Sequence, residues 1–386
     1  MASQRRHIAL ILNVNKAYDR KVVSGVSRYM REVGNWSLYL ENDPLCKIPD
    51  FESWDGDGII ADLDDPDVYK AVKNLSIPVV GFGGGYGAYR KEESIPYVYT
   101  NNHHIAELAA SHLLERGFRR FAYCGLPATP INGWSHERSL KFNEIITSHG
   151  FQCSHYSGRS DSPKKWQMVI QGLTDWLKTL ELPIGLMVAN DSRARHVLEA
   201  CSQLGIRVPE DLAVIGVDND EMMCELATPP LTSIIQGTDK LGYETARILD
   251  SMIDGEQVAI KSRIEPLGVE VRQSTDVIAI EDPLVSQALH FIRGHACNCI
   301  RVEEVASHCN FSLPPIEKNS KQLMVRPVHS EICRIQLQKA KELLTHTEMP
   351  LKKVSQVAGF STVQYMNAKL KIATGLTPLQ YRNHKR

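Results

Sequence analysis

The sequence predicts an α/β domain with parallel sheets, followed by a smaller all-α domain. Strand-like and helix-like hydrophobic patterns alternate through roughly the first 280 residues. The alternation stops at RQSTDVIAIEDP, Arg272 to Pro283, and only helical periodicity follows. Charge divides at the same place: residues 284–386 carry 15 Lys+Arg against 6 Asp+Glu, and the remainder 29 against 39.

In chain order, IALILN reads as a buried strand and DRKVVSGVSRYMREVG as a helix with Val22, Val23, Val26, Tyr29 and Met30 on one face. GIIAD, IPVVGF and YVYTN are short apolar runs of strand length, and AELAASHLLERG is a helix ending at Gly117. FRRFAYCGL, GLMVAND and LAVIGVD are strands again. Beyond the linker, VSQALHFIRGHA is an amphipathic helix. VEEVASHCNFS and LKKVSQVAGFS then align at an offset of 49 residues, pairing Val305 with Val354, Ala306 with Ser355, Asn310 with Gly359 and Phe311 with Phe360. A small residue where two helices cross, Asn or Gly at a left-handed turn and Phe beneath it suit a helix-turn-helix. Between the repeats, EICRIQLQKAKELLTHT places Ile332, Ile335, Ala340, Leu343 and Leu344 on one helical face.

Composition excludes several classes. The N-terminal apolar run, Ile8 to Leu12, is too short for a signal-peptide core or membrane span, so a cytoplasmic protein is expected. Nine cysteines without regular spacing suit a reducing compartment, and Cys297 and Cys299 lack zinc-ligand spacing. Gly83, Gly85 and Ala88 satisfy a GxGxxG/A pattern, but Pro96 leaves no room for the helix that a dinucleotide site needs. No nucleophile-elbow motif accompanies the His and Asp residues near Asp218. An enzyme is therefore not expected, nor a cofactor or metal. The basic tail points to a nucleic-acid partner.

In open parallel sheets, ligands bind beyond the carboxyl ends of the strands. The polar clusters there are Asn13 to Arg20, Asn190 with Asp191, and Asp218 with Asn219. Asp, Asn and Arg suit a ring of sugar hydroxyls through charge-assisted and bidentate hydrogen bonds.

The blocks ASHLLERGFRRFAYCGL, HERSLKF, LMVANDSRA, GIRVPEDLAVIGVDND, ATPPLTSIIQ and LGYETARILDSMIDG occur in the order and spacing of the LacI/GalR regulatory core, which residues 7 to 275 resemble. That resemblance implies a periplasmic-binding-protein-like fold, two α/β lobes joined by three hinge crossovers, here near Arg119, Ile235 and Ser262. It implies sugar contacts from Arg138, Asn190, Asp191, Asp218 and Gln236, with Asn219 alongside. Thr100 stands where Asp is usual and takes no contact. The family's N-terminal DNA-binding helices do not precede the first strand, so the reader is expected elsewhere.

The two helix-turn-helix units joined by a long helix, together with GLTPLQYR, resemble the AraC-family DNA-binding domain. The resemblance places recognition helices near Ser312 to Leu323 and Ser361 to Ala373. It implies DNA contacts from Ser312, Lys318 and Lys321 in the first and from Ser361, Thr362, Gln364 and Lys369 in the second. This sequence departs from that pattern at Pro314, Pro315, Ser320 and Val325, and at Met366, Leu370 and Ile372.

The organisation expected is a sugar-binding domain over 1–275, a linker over 276–285 and an AraC-type domain over 286–386. NVNKAYDRKVVSGVSRYM, WSHERSLKF and ARHVLEACSQLGI, with this domain pairing, resemble the xylose-responsive bacterial regulators. The resemblance implies D-xylose as effector, with Tyr18, Asp19 and Arg20 contributing. It further implies double-stranded operator DNA, a homodimer and RNA polymerase as partners of an activator. The alternatives are another aldopentose, or a sugar-binding protein with weakened DNA binding. A periplasmic carrier would need a signal peptide and no basic helical tail.

Overall fold

A computed structural model describes residues 5–33, 35–40, 54–85, 95–158, 166–277, 283–309 and 327–384. The chain divides into two compact units, 1–277 and 278–386.

The first unit contains two six-stranded sheets. Its strands are β1 (Arg6–Ile11), β2 (Trp36–Leu40), β3 (Gly58–Asp62), β4 (Val79–Gly83), β5 (Tyr97–Thr100), β6 (Phe121–Cys124), β7 (Cys153–Tyr156), β8 (Ile184–Val188), β9 (Leu212–Val217), β10 (Thr232–Ile235), β11 (Lys261–Ile264) and β12 (Gly268–Glu270). The first sheet runs β11-β5-β4-β3-β1-β2, all parallel. The second runs β12-β10-β9-β8-β6-β7 and is parallel except at β12. Its helices are α1 (Ala17–Val33), α2 (Pro66–Val72), α3 (Asn102–Glu115), α4 (Gly133–Ser148), α5 (Trp166–Leu177), α6 (Asp191–Leu204), α7 (Glu221–Glu225) and α8 (Thr238–Ile253).

Burial on both faces explains why β3, β4, β8 and β9 read as unbroken apolar runs. One face of the first sheet packs on Val22, Val26, Leu241, Ile248 and Leu249 of α1 and α8. Its other face packs on Val68, Tyr69 and Val72 of α2. Helices α1 and α8 cross closely through glycines. A Cβ on Gly25 would stand 1.9 Å from the Asp239 carbonyl oxygen, and one on Gly242 2.0 Å from that of Val22. The close crossing fixes the start of α1 over the sheet's carboxyl edge.

The chain passes between the lobes three times, as the family resemblance implied, but the first crossing falls well before Arg119. The first is at Asn101, because α3 already packs on β8, β9, β10 and β12. Arg119 is therefore well inside the second lobe. The second follows Ile235, where β10 ends and α8 returns to the first sheet. The third follows Ile264, since Ser262 pairs with Val98 inside the first sheet. The first and third crossings are laced together: the Asn101 amide donates to Ile264 O at 3.0 Å, and Asn101 Nδ2 to Glu265 Oε2 at 2.9 Å.

The second unit contains α9 (Pro283–His295), α10 (Val302–His308), α11 (Val328–His346), α12 (Leu351–Val357), α13 (Val363–Thr374) and α14 (Pro378–His384). Pro283 opens α9, inside the segment expected to be linker; a first helical position tolerates proline because its amide lacks a helical partner. Ala288, Ile292, Val305, Ala306 and Ile332 form one small core. Ala340, Leu344, Val354, Phe360, Met366 and Leu370 form another. Gln336 links the two halves, donating to Ala296 O at 2.9 Å and Gly359 O at 2.7 Å. Gly359 has φ +82°, and a Cβ there would stand 2.5 Å from the Cys297 Cα. The glycine of the repeat is thus required twice over, by backbone conformation and by space. Among the described residues, no helix is long and apolar enough to cross a membrane.

Candidate functional site

The carboxyl ends of both sheets face one cavity of about 380 Å³ in the first unit. Eight of the nine residues expected to meet sugar line it: Tyr18, Asp19, Arg20, Arg138, Asn190, Asp191, Asp218 and Gln236. Asn219 and Thr100 do not.

The second-lobe wall is organised around Arg138, which α4 carries into the interior at 2% exposure. Its guanidinium donates to Asn102 Oδ1 at 2.9 Å, Ala189 O at 2.7 Å and Gln236 Oε1 at 2.9 Å. It also lies 4.6 Å from the centre of the Trp134 ring. Gln236, at the second crossing, then donates to Asp218 Oδ1. Burial raises Asp218 to about 6, and the Arg138 charge opposes the rise. Among the described residues, Asp218 Oδ2 accepts no hydrogen bond, so a negatively charged acceptor is held ready at neutral pH.

Asp191 and Asn190 are more committed. Asp191 accepts from Ser233 Oγ at 2.6 Å and from the Asp220 amide at 2.8 Å. Burial first, and Asp218 second, push it up to about 8. Asn190 Oδ1 caps α6 by accepting from the Arg193 amide at 2.9 Å. Asn219 has its own amide on Ser233 Oγ and its side-chain oxygen on Arg272, which keeps it among the supports of the wall.

The first-lobe wall contains residues that the sequence reading missed. Asp62, the last residue of β3, and Asp64 just beyond it line the cavity with Lys16. Lys16 Nζ pairs with Asp62 at 2.7 Å. Asp64 accepts from the Gly84 amide at 2.6 Å and from the Tyr97 hydroxyl at 2.7 Å. Tyr18 donates to Gly83 O at 2.7 Å, and Asp19 accepts from the Asn13 amide at 2.7 Å. Burial and then the Asp62 charge raise Asp19 to about 7 and Asp64 to about 8. The strand-end rule that found Asn190 and Asp218 applies equally to DLDD after GIIA. Trp134 and Asn102 carried no such local signal.

Polar contacts join the walls. Arg20 pairs with Asp220 at 3.0 Å, and Lys21 Nζ donates to Asp218 O at 2.8 Å and Asn219 O at 2.6 Å. Asn102 Nδ2 reaches Gly84 O. The lobes are therefore closed on the cavity.

In the second unit, Ser361, Thr362 and Gln364 are exposed at the start of α13, and Lys369 is half-buried. Thr362 caps the helix, accepting from the Tyr365 amide at 3.1 Å. Lys369 Nζ lies 5.3 Å from the centre of the Tyr365 ring. Met366 and Leu370, two of the departures from the family pattern, are fully buried. Ser312, Lys318, Lys321, Pro314, Pro315, Ser320 and Val325 lie outside the described residues.

Residues 7–103 match the XylR N-terminal domain family, 110–275 the periplasmic binding protein-like domain and 305–384 a helix-turn-helix domain. The xylose operon regulatory protein of Escherichia coli (strain K12) is 36% identical over 385 residues, covering 99% of this chain and 98% of the relative. That of Haemophilus influenzae (strain ATCC 51907 / DSM 11121 / KW20 / Rd) is 35% identical, covering 99% of each. A solved structure of the xylose-binding transcription activator XylR aligns with TM-score 0.83 at 36% identity, covering 100% of this chain and 99% of the other. With its cleft between two parallel-sheet lobes and its helical C-terminal unit, the chain belongs to the family of xylose operon regulatory proteins.

Proposed function

We propose that this chain is a D-xylose-responsive transcription activator that holds the sugar between its lobes and binds operator DNA through its C-terminal unit. The observation that carries the reading is the Arg138–Gln236–Asp218 chain facing a polar wall across a closed cavity of about 380 Å³. A sugar hydroxyl both donates and accepts. Asp218 Oδ2 supplies an acceptor. Of the five N–H donors of a guanidinium, Arg138 spends three, so two serve the ligand. Tyr18, Asp19 and Arg20 complete the contacts from the first lobe and Asn190 those from the second, while Asp191 holds the Asp218 turn in place.

Sugar that touches both walls favours the closed state by its difference in affinity between closed and open forms. In a homodimer, that closure would set the two DNA-binding units for joint engagement of double-stranded operator. Ser361, Thr362, Gln364 and Lys369 would meet DNA from the second unit, and Ser312, Lys318 and Lys321 from the first. RNA polymerase is the further partner of an activator, and the cytoplasm its place of work. No catalytic step is assigned. Calorimetric titration of the full chain with D-xylose, L-arabinose, D-ribose and D-glucose tests the reading. Binding of D-xylose ahead of the others is expected; preference for L-arabinose overturns it.

A further inference from the structure

The turn at Asp218 and Asn219 is gripped from both lobes, by Lys21 and Arg272, neither of which lines the ligand cavity. Both residues have positive φ, 111° and 47°, in conformations that non-glycine residues hold only when their surroundings impose them. From the first lobe, Lys21 Nζ donates to the carbonyl oxygens of both. From the second, Arg272 Nη2 donates to Asn219 Oδ1 at 2.8 Å.

Arg272 is the first residue of the segment by which the chain leaves this unit, and that segment is bonded to the second lobe repeatedly. The Arg272 amide donates to Thr232 Oγ1 at 2.8 Å, and its Nη1 to Leu231 O at 3.0 Å. Ser274 Oγ donates to Val214 O at 2.6 Å, and Arg116 Nε to Thr275 O at 2.7 Å. The unit ends two residues later, at Val277.

The geometry points to Arg272 as a positioning residue that carries closure of the cleft, through Asn219, to the exit of the chain from the sensor unit. Opening the lobes withdraws Lys21 from the carbonyls of the strained turn. Asn219 then loses the support that presents its side chain to Arg272, and residues 272–277 lose one of their anchors. Closure restores both. The inference rests on the sugar-sensing reading above, since the ligand's part is to hold the lobes closed.

The test uses the full chain, Arg272→Met and Asn219→Gly. Methionine keeps an apolar stem without donors, and glycine removes the acceptor while tolerating φ 47°. D-xylose affinity is measured by calorimetry, and amide hydrogen exchange at 272–277 with and without D-xylose. In the parent, D-xylose should slow exchange at 272–277 severalfold. Arg272→Met should bind D-xylose with affinity within about threefold of the parent, and both variants should show little of that slowing. Parent-like slowing in both variants overturns the proposal. So does loss of D-xylose binding in both, which would make the pair part of the ligand wall. A parent chain that does not bind D-xylose sinks the sugar-sensing reading and this inference with it.

Discussion

Arg138 donates to Gln236 Oε1 at 2.9 Å, joining a residue of α4 to one at the second crossing between the lobes. Gln236 must therefore present its amide nitrogen to Asp218, which fixes one carboxylate oxygen and leaves the other for the cavity. Asp218 is in turn the acceptor whose loss should matter most. Asp218→Asn is the suitable change, because asparagine tolerates φ 111° better than alanine does. It should weaken D-xylose binding by about 1–3 kcal/mol, roughly 5–150-fold, without loss of the fold. Because Asp218 stands at about 6, parent affinity should also fall as pH drops through that value, while the variant keeps only the shallower dependence that Asp19, at about 7, contributes. Titrations at pH 5 and pH 7.5 check both, and equal affinity of parent and variant would reduce Asp218 to a structural turn residue.

The strand ends were readable because the apolar runs before them are continuous, and Asn190, Asp191 and Asp218 follow such runs directly. What a one-dimensional pattern cannot carry is the partner of each group. Asn190 and Asn219 looked like Asp218 in the sequence, yet one caps a helix and the other meets Arg272, 53 positions away. The first crossing was misplaced for a similar reason: α3 begins two residues after β5, with no loop composition to mark a change of lobe.

The buried carboxylates of the cleft set a pH dependence of stability. Asp64 and Asp191 are each raised from 3.8 to about 8, first by burial and then by a neighbouring carboxylate. The native state thus keeps protons that the unfolded chain releases, so unfolding free energy falls as pH rises between about 4 and 8. This contribution is whole below about 4 and lost above about 8. Asp64→Asn, neutral throughout, should make the decline shallower by up to about 1.4 kcal/mol per pH unit. Urea unfolding of the first unit's transition at pH 5.5, 6.5 and 7.5 measures the slope. An unchanged slope would show that Asp64 stays ionised in the folded protein.

The two units should respond separately to Gly359→Ala. The methyl would require a left-handed alanine and meet the Cys297 Cα at 2.5 Å and Ala296 O at 2.7 Å, all of it backbone. Backbone of that kind cannot swing aside, so a loss of about 3 kcal/mol or more from the second unit is expected. DNA binding should fail while D-xylose affinity is unchanged. Calorimetric melting with and without D-xylose would resolve the two transitions, and an unaltered second transition would mean that the turn relaxes freely.

Sequence discrimination by the second helix-turn-helix should separate from general affinity along α13. Met366 and Leu370 are fully buried in the core, so this helix is well seated despite its departures from the family pattern. A seated helix can present exposed side chains to base edges, and Gln364 in its first turn and Ser361 just before the Thr362 cap are both exposed. Lys369, half-buried with its ammonium 5.3 Å from the Tyr365 ring, is suited to neutralise phosphate. Gln364→Ala should therefore cost about 1–3 kcal/mol on operator DNA and much less on random duplex. Lys369→Gln should weaken both alike and reduce the dependence of log K on log salt by about one contact. Competition binding at several salt concentrations, with an operator selected from a random duplex pool, distinguishes the two outcomes. If Gln364→Ala weakens operator and random DNA equally, α13 does not read bases through that residue, and discrimination must come from another part of the domain.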